Sequence, residues 1–155
     1  MPQFENYFLS FILLGLFWTR HQFQFKHIKN ADRTLLWINI IFLSLVTLLP
    51  FTTGLLMKYT SHKLPMFLYC VNLAMAALVL SLHWTYAARH KLIDPSLTGE
   101  SLKHYDRIVY VMPSIFTLCA AASFISARFS LTLLYILPVI FLIYAKIQRK
   151  KISEV

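Results

Sequence analysis

Apolar residues run along this chain in five long blocks, separated by short polar links. The blocks cover 4–18, 34–57, 64–88, 108–127 and 131–146. A helix needs roughly 20 apolar residues to cross a hydrocarbon layer of about 30 Å. The second to fourth blocks meet that length; the first is short and interrupted early by Glu5 and Asn6. The blocks are continuous instead of alternating apolar with polar, which predicts helices and not a barrel. The links are TRHQFQFKHIKNADR, KYTSHK, RHKLIDPSLTGESLKHYDR and SARFS. Asp94-Pro95-Ser96 and Thr98-Gly99 in the third are turn signals. The pattern predicts an all-α fold: one polytopic membrane bundle over 1–155, with five transmembrane helices and a basic tail at 147–155.

Composition excludes the soluble alternative. Hydrophobic residues make up 58% and charged residues 14%, against about a quarter charged in a soluble domain. The net charge of +9 does not point to nucleic acid. Its basic residues sit between apolar blocks, facing cytoplasm and lipid headgroups, with no soluble fold beneath a basic face. Twelve of the Lys and Arg residues fall in links one and three and the tail. Lys58, Lys63 and Arg128 fall on the other side. That asymmetry places links one and three and the C-terminus in the cytoplasm and Met1 outside. A short first span that begins outside, without a cleavable signal, is awkward to insert, and the expectation is a further helix upstream. Cys70 and Cys119 each lie within an apolar block and read as small apolar residues at helix contacts.

Polar groups at membrane depth are expensive and mark candidate sites. Here they are Asn39, Thr47, Thr52, Thr53, Asn72, Ser81 and His83. No Asp, Glu, Lys or Arg sits at the centre of a block, which argues against a carboxylate-coupled pump and against an acid–base hydrolase. No catalytic residue, cofactor site or metal site is assigned, and the chain is not read as an enzyme. His21 and His83 lie near the same end of their spans, so a bis-histidine haem protein is an alternative; hydrogen-bonded interface histidines are the plainer reading. Pro50, Pro113 and Pro138 are expected to kink their spans. Thr52 and Thr53 are placed to bond the carbonyls that Pro50 frees. Trp84, Tyr86, Tyr105 and Tyr144 read as an aromatic belt. The Ala120-Ala121-Ala122-Ser123 run, Ser126, and the Ala77–Ser81 pair read as close helix contacts.

Trp18 and His21 are three residues apart and share a helix face. The phrases YFLSFILLGLFWTRHQFQF, LLWINIIFLSLVTLLPFTTGLL and LYCVNLAMAALVLSLHWTYA resemble the prokaryotic branch of the transmembrane protein 175 family of potassium channels. The pieces that carry the resemblance are Ser10-Phe11, Trp18-x-x-His21, Leu36-Trp37-x-Asn39 and Leu49-Pro50-Phe51, in order, from Tyr7 to Ala88. The resemblance implies a six-helix repeat with cytoplasmic termini, one repeat per subunit, and assembly as a homo-tetramer. It implies a pore lined by a first helix bearing Arg-x-x-x-Phe-Ser-Asp, with hydrophobic side chains as the constriction and no TVGYG filter. Neither sequence occurs in these residues, so the chain aligns with helices two to six. Trp18, His21 and Asn39 then resemble the polar support network that braces the signature.

The resemblance implies passive K+ conduction, as a channel or channel-like subunit in the lipid bilayer of a prokaryotic cell membrane. The alternative from another class is a non-conducting membrane scaffold or accessory subunit, with the haem protein third.

Overall fold

The structure is a computed structural model and describes residues 2–59, 62–95 and 109–136, with side chains from Asn6 onward. Five helices occupy these residues: α1 Pro2–His27, α2 Arg33–Lys58, α3 Lys63–Arg89, α4 Val111–Ile125 and α5 Ala127–Ile136. Among the described residues the only β pairing is a bridge between Ile28 and Ile93. Residues 96–108, with the turn signals at Ser96 and Thr98-Gly99 and with Tyr105, and residues 137–155, with Pro138, Tyr144 and the tail, lie outside them.

Helix α1 does not stop at Trp18. It runs on to His27, through residues that read as a polar link. The reason is a stripe that continues past the apolar block. Asn6, Leu9, Leu13, Phe17 and Gln24 are its buried residues, at intervals of three, four or seven that keep one face inward. Helix α2 repeats the rule at seven-residue spacing, burying Leu35, Phe42, Leu49 and Leu56. Leu36, Trp37, Ile40, Ile41 and Phe51 lie exposed on its other faces, the surface a helix presents to lipid.

Helix α3 is different. It packs against both α2 and α4 and is buried from Pro65 to Ala87 except along one stripe, where Leu68, Met75, Leu78 and Leu82 stay exposed. Small residues make this approach possible: Ala76, Ala77 and Ser81 are buried in α3, and Ala120, Ala122 and Ser123 in α4. Ala121, in the same run, points outward. Helices α4 and α5 are separated by Ser126 alone, which takes an extended conformation. The SARFS turn is thus one residue wide. Ser126 Oγ accepts from Phe129 N, which caps the new helix. The buried period survives the break, through Phe116, Ala120, Ser123, Ala127, Ser130 and Leu134.

Two sequence expectations are corrected. Pro113 sits in the first turn of α4, where an amide has no helical partner to lose, so it starts the helix without kinking it. Trp84 is 1% exposed and belongs to the core, not to a belt at the surface. The outward-facing tryptophans are Trp18 and Trp37, at 60% and 61%. α2 and α3 are each long and apolar enough to cross a membrane.

Candidate functional site

Two buried polar layers interrupt the apolar bundle. The first joins α1, α2 and α3 near the ends of α1 and α3 that share the Ile28–Ile93 bridge. His21 projects from α1 toward α2, and its Nε2 lies 2.9 Å from Asn39 Oδ1. An amide oxygen only accepts, so His21 Nε2 donates. The imidazole is held by rings on several sides. Trp18 stacks at 6.0 Å and 20°, Phe42 at 5.2 Å and 14°, and Phe25 lies at 4.5 Å. Trp18 therefore reaches Asn39 only through His21, and most of its indole faces outward.

Gln24, three residues past His21, completes the layer. It is 0% exposed and His83 is 1% exposed. Gln24 Oε1 accepts from His83 Nδ1 at 2.9 Å, and Gln24 Nε2 donates to Leu80 O at 3.0 Å. Phe25 also stacks on His83, at 5.3 Å and 20°. The space against both imidazoles is filled by this phenyl ring, and each histidine gives one nitrogen to an amide. That is hydrogen-bonded core, the plainer of the two readings of His21 and His83.

The second layer lies toward the start of α1. Ser10 Oγ donates to Asn6 O at 2.8 Å, with Tyr69 OH 2.8 Å and Thr53 Oγ1 3.1 Å away. Tyr135 OH donates to Asn6 Oδ1 at 3.2 Å. Beside them, Asn72 Nδ2 donates to Thr52 Oγ1 at 3.3 Å. This layer ties α1, α2, α3 and α5 through side chains alone. Thr52 and Thr53 also return their hydroxyls to Leu49 O at 3.1 and 2.8 Å. Those are not the carbonyl of Val46, whose helical donor Pro50 removes.

Neither layer contains an Asp, Glu, Lys or Arg side chain. Four buried atoms in them have no hydrogen-bond partner among the described residues: Asn6 Nδ2, His21 Nδ1, Asn72 Oδ1 and His83 Nε2. Such groups are costly unless something polar meets them. No nucleophile sits beside a base in either layer, and no cluster of three metal-ligating side chains occurs among the described residues. The arrangement can fix helix register and present hydrogen-bonding groups to a polar neighbour.

A third polar assembly lies at the helix ends. Asp32 caps α2, accepting from Leu35 N at 2.7 Å, and also accepts from Tyr86 OH at 2.7 Å. Lys29 N donates to Leu92 O and Asp94 N to His27 O, while Lys29 Nζ lies 3.0 Å from Asp94. The link after α1 and the turn after α3 are thereby clasped together. The Leu35 amide, then the Tyr86 hydroxyl, hold the Asp32 carboxyl below the usual carboxylate range.

Of the residues singled out in the sequence, Trp18, His21 and Asn39 come together in one cluster. Asn72, Thr52 and Thr53 meet in the other layer. Thr47 stays on an exposed face, donating to Ser44 O in its own helix. Sequence reasoning missed Gln24 and Tyr69. Gln24 was legible as the next residue on the face of Leu13 and Phe17; Tyr69 carries no such signal.

The family model of the endosomal/lysosomal potassium channel TMEM175 matches residues 1–50. A potassium channel of Streptomyces collinus is 27% identical over 84% of this chain and 66% of its own length. A potassium channel of a Chryseobacterium strain is 27% identical over 99% of this chain and 79% of its own. The zebrafish endosomal/lysosomal proton channel TMEM175 is 28% identical over 89% of this chain, which spans 27% of that protein. In fold, the chain superimposes with a TM-score of 0.81 on the crystal structure of a lysosomal potassium-selective channel TMEM175 homologue from Chamaesiphon minutus. That match covers 91% of this chain and 72% of the other at 23% identity.

Proposed function

We propose that this relative of the TMEM175 channels is a subunit of a membrane channel that passes K+ down its electrochemical gradient. The observation that carries the reading is coverage: bacterial proteins named potassium channels align along 84% and 99% of the chain. The helical architecture of the described residues agrees with it. Passive conduction needs packed helices and a constriction, and no proton-transferring group.

In this reading the five apolar blocks cross the bilayer, and the basic links face the cytoplasm. Four copies assemble around the conducting path. Trp18, His21 and Asn39 support that assembly from behind the pore and do not touch the ion. The unpaired His21 Nδ1 and the exposed Trp18 are what such a brace offers to a neighbouring helix.

The test is flux into liposomes holding the purified chain, with valinomycin controlling for vesicle integrity. A K+ gradient and a proton gradient are run side by side, since relatives are named for each ion. K+ flux above empty vesicles, lowered severalfold by His21→Ala with folding retained, supports the proposal. Absence of flux from protein shown to be folded and inserted favours the non-conducting accessory subunit.

A further inference from the structure

An open apolar groove of about 520 Å³ runs between α3 and α4. Its walls include Met75 and Leu78 on one side and Pro113, Thr117 and Leu118 on the other. The hydroxyls along it are turned back into their own helix. Ser114 Oγ donates to Tyr110 O at 2.9 Å and Thr117 Oγ1 to Pro113 O at 2.8 Å. The groove wall is therefore hydrocarbon over most of its length, which suits an alkyl chain and not a polar ligand.

One end is different. Tyr110 lines the groove there, and its hydroxyl donates to Thr85 Oγ1 at 3.0 Å, Thr85 in turn donating to Ser81 O at 2.9 Å. Met75, Leu78, Leu82, Thr85 and Arg89 succeed one another at three- or four-residue spacing, so they form one stripe of α3. Following that stripe leads from the apolar walls, past the hydroxyl pair, to an exposed guanidinium. Among the described residues, the two carboxylates at this end of the bundle are occupied: Asp94 by Lys29, and Asp32 by Leu35 N and Tyr86 OH. Arg89 is paired with neither. The opposite end of the bundle is arranged the other way. There Lys63 Nζ donates to Phe124 O at 2.7 Å, and Lys58 lies 5.4 Å above the Tyr59 ring.

We propose that this groove is a binding site for an anionic phospholipid of the surrounding membrane. One acyl chain lies between α3 and α4, and the headgroup phosphate is held by Arg89, with the Tyr110 hydroxyl turning from Thr85 to donate to it. Basic pockets between membrane helices recognise anionic headgroups in this way, and guanidinium matches phosphate geometry. The inference rests on the chain being a membrane bundle, as under the function proposed above, and not on conduction; lipid binding and flux are read separately.

The experiment is native mass spectrometry of the purified full chain in detergent. Dioctanoyl phosphatidylglycerol, dioctanoyl phosphatidylcholine and inorganic phosphate are titrated in turn. The expected result is about fivefold tighter binding of the glycerol lipid than of the choline lipid, the effect of one surface cation on an anionic lipid. Arg89→Gln removes that preference and Lys58→Gln keeps it. Leu78→Trp, which fills the groove, weakens both lipids; Leu78→Phe serves if the larger ring prevents folding, judged by circular dichroism. The proposal is overturned by equal binding of the two lipids, by inorganic phosphate binding as tightly as the glycerol lipid, or by binding indifferent to Leu78 substitution. Self-crosslinking of Leu118→Cys between copies in a bilayer also overturns it, because a second chain then fills the groove.

Discussion

The Gln24–His83 pair permits a quantitative test of how the first polar layer holds α1 to α3. Both residues are buried, and Gln24 closes two hydrogen bonds, one to the His83 imidazole and one to Leu80 O. Gln24→Leu keeps the volume and deletes the amide. It leaves the His83 Nδ1–H and the Leu80 carbonyl facing hydrocarbon. An unsatisfied buried group costs about 1–3 kcal/mol, though hydrogen bonds between membrane helices average nearer 0.6 kcal/mol because the unfolded state finds partners too. We expect Gln24→Leu to cost about 2 kcal/mol, at the level of an orphaned group instead of an average bond. His83→Phe, which orphans Gln24 Oε1, costs a similar amount. The double variant has neither orphan, so it loses about 2 kcal/mol less than the two singles added together. Reversible unfolding in mixed micelles, followed by circular dichroism, reads these differences. For a chain of 155 residues each single change corresponds to a fall in Tm of roughly 4–8 °C. If the two single losses simply add, the residues do not act as a bonded pair, and the account of the layer fails.

Other outcomes follow from the clasp and the core. The Asp32 carboxyl is held below its ordinary value by bonds that exist only in the fold. A lowered native pKa contributes stability above the unfolded value, and that contribution is lost as pH falls through the native one. Asp32→Asn, which still caps α2, should therefore show a smaller loss of Tm between pH 5 and pH 3 than the unaltered chain, and an equal or larger acid loss would contradict the assignment. Leu73, fully buried in α3, and Phe51, 68% exposed on α2, separate packing from surface. Leu73→Ala should cost about 2–4 kcal/mol in the same unfolding assay, while Phe51→Ala should stay within about 0.5 kcal/mol.

How much was legible in the sequence differs from helix to helix. Helices α2 and α3 coincide with apolar blocks to within a residue or two, because length and hydrophobicity are local properties. α1 was read as ending near Trp18 because its later residues, Thr19 to Lys26, are polar on average. The average hid the stripe: helix formation there depends on one inward residue per turn or two, and Gln24 holds that place while its neighbours face outward. α3 gave the reverse difficulty. It is apolar on all sides, so no periodicity says which residues meet α2 and which meet α4.

Trp84 and Pro113 show why position along a block is a weak guide to environment. Trp84 lies near a span end, where tryptophan commonly anchors at the interface, yet α3 is central and encloses it. Pro113 falls inside an apolar block, but the helix begins only two residues before it, which removes the expected kink.

The sequence by itself determined that this is an all-helical chain with membrane-length apolar segments, uneven in charge, carrying Trp18 and His21 on one helix face and Asn39 within the next apolar block. Those features follow from composition, from the 3.6-residue period and from short spacings, all of which act within one helix. Only the tertiary structure decided that Gln24 reaches His83, that Ser10 and Tyr69 meet across helices, and that the loops after α1 and α3 are clasped. Each of those contacts joins residues dozens of positions apart, and burial in hydrocarbon makes their pairing strongly favoured once helix packing has brought them within bonding distance.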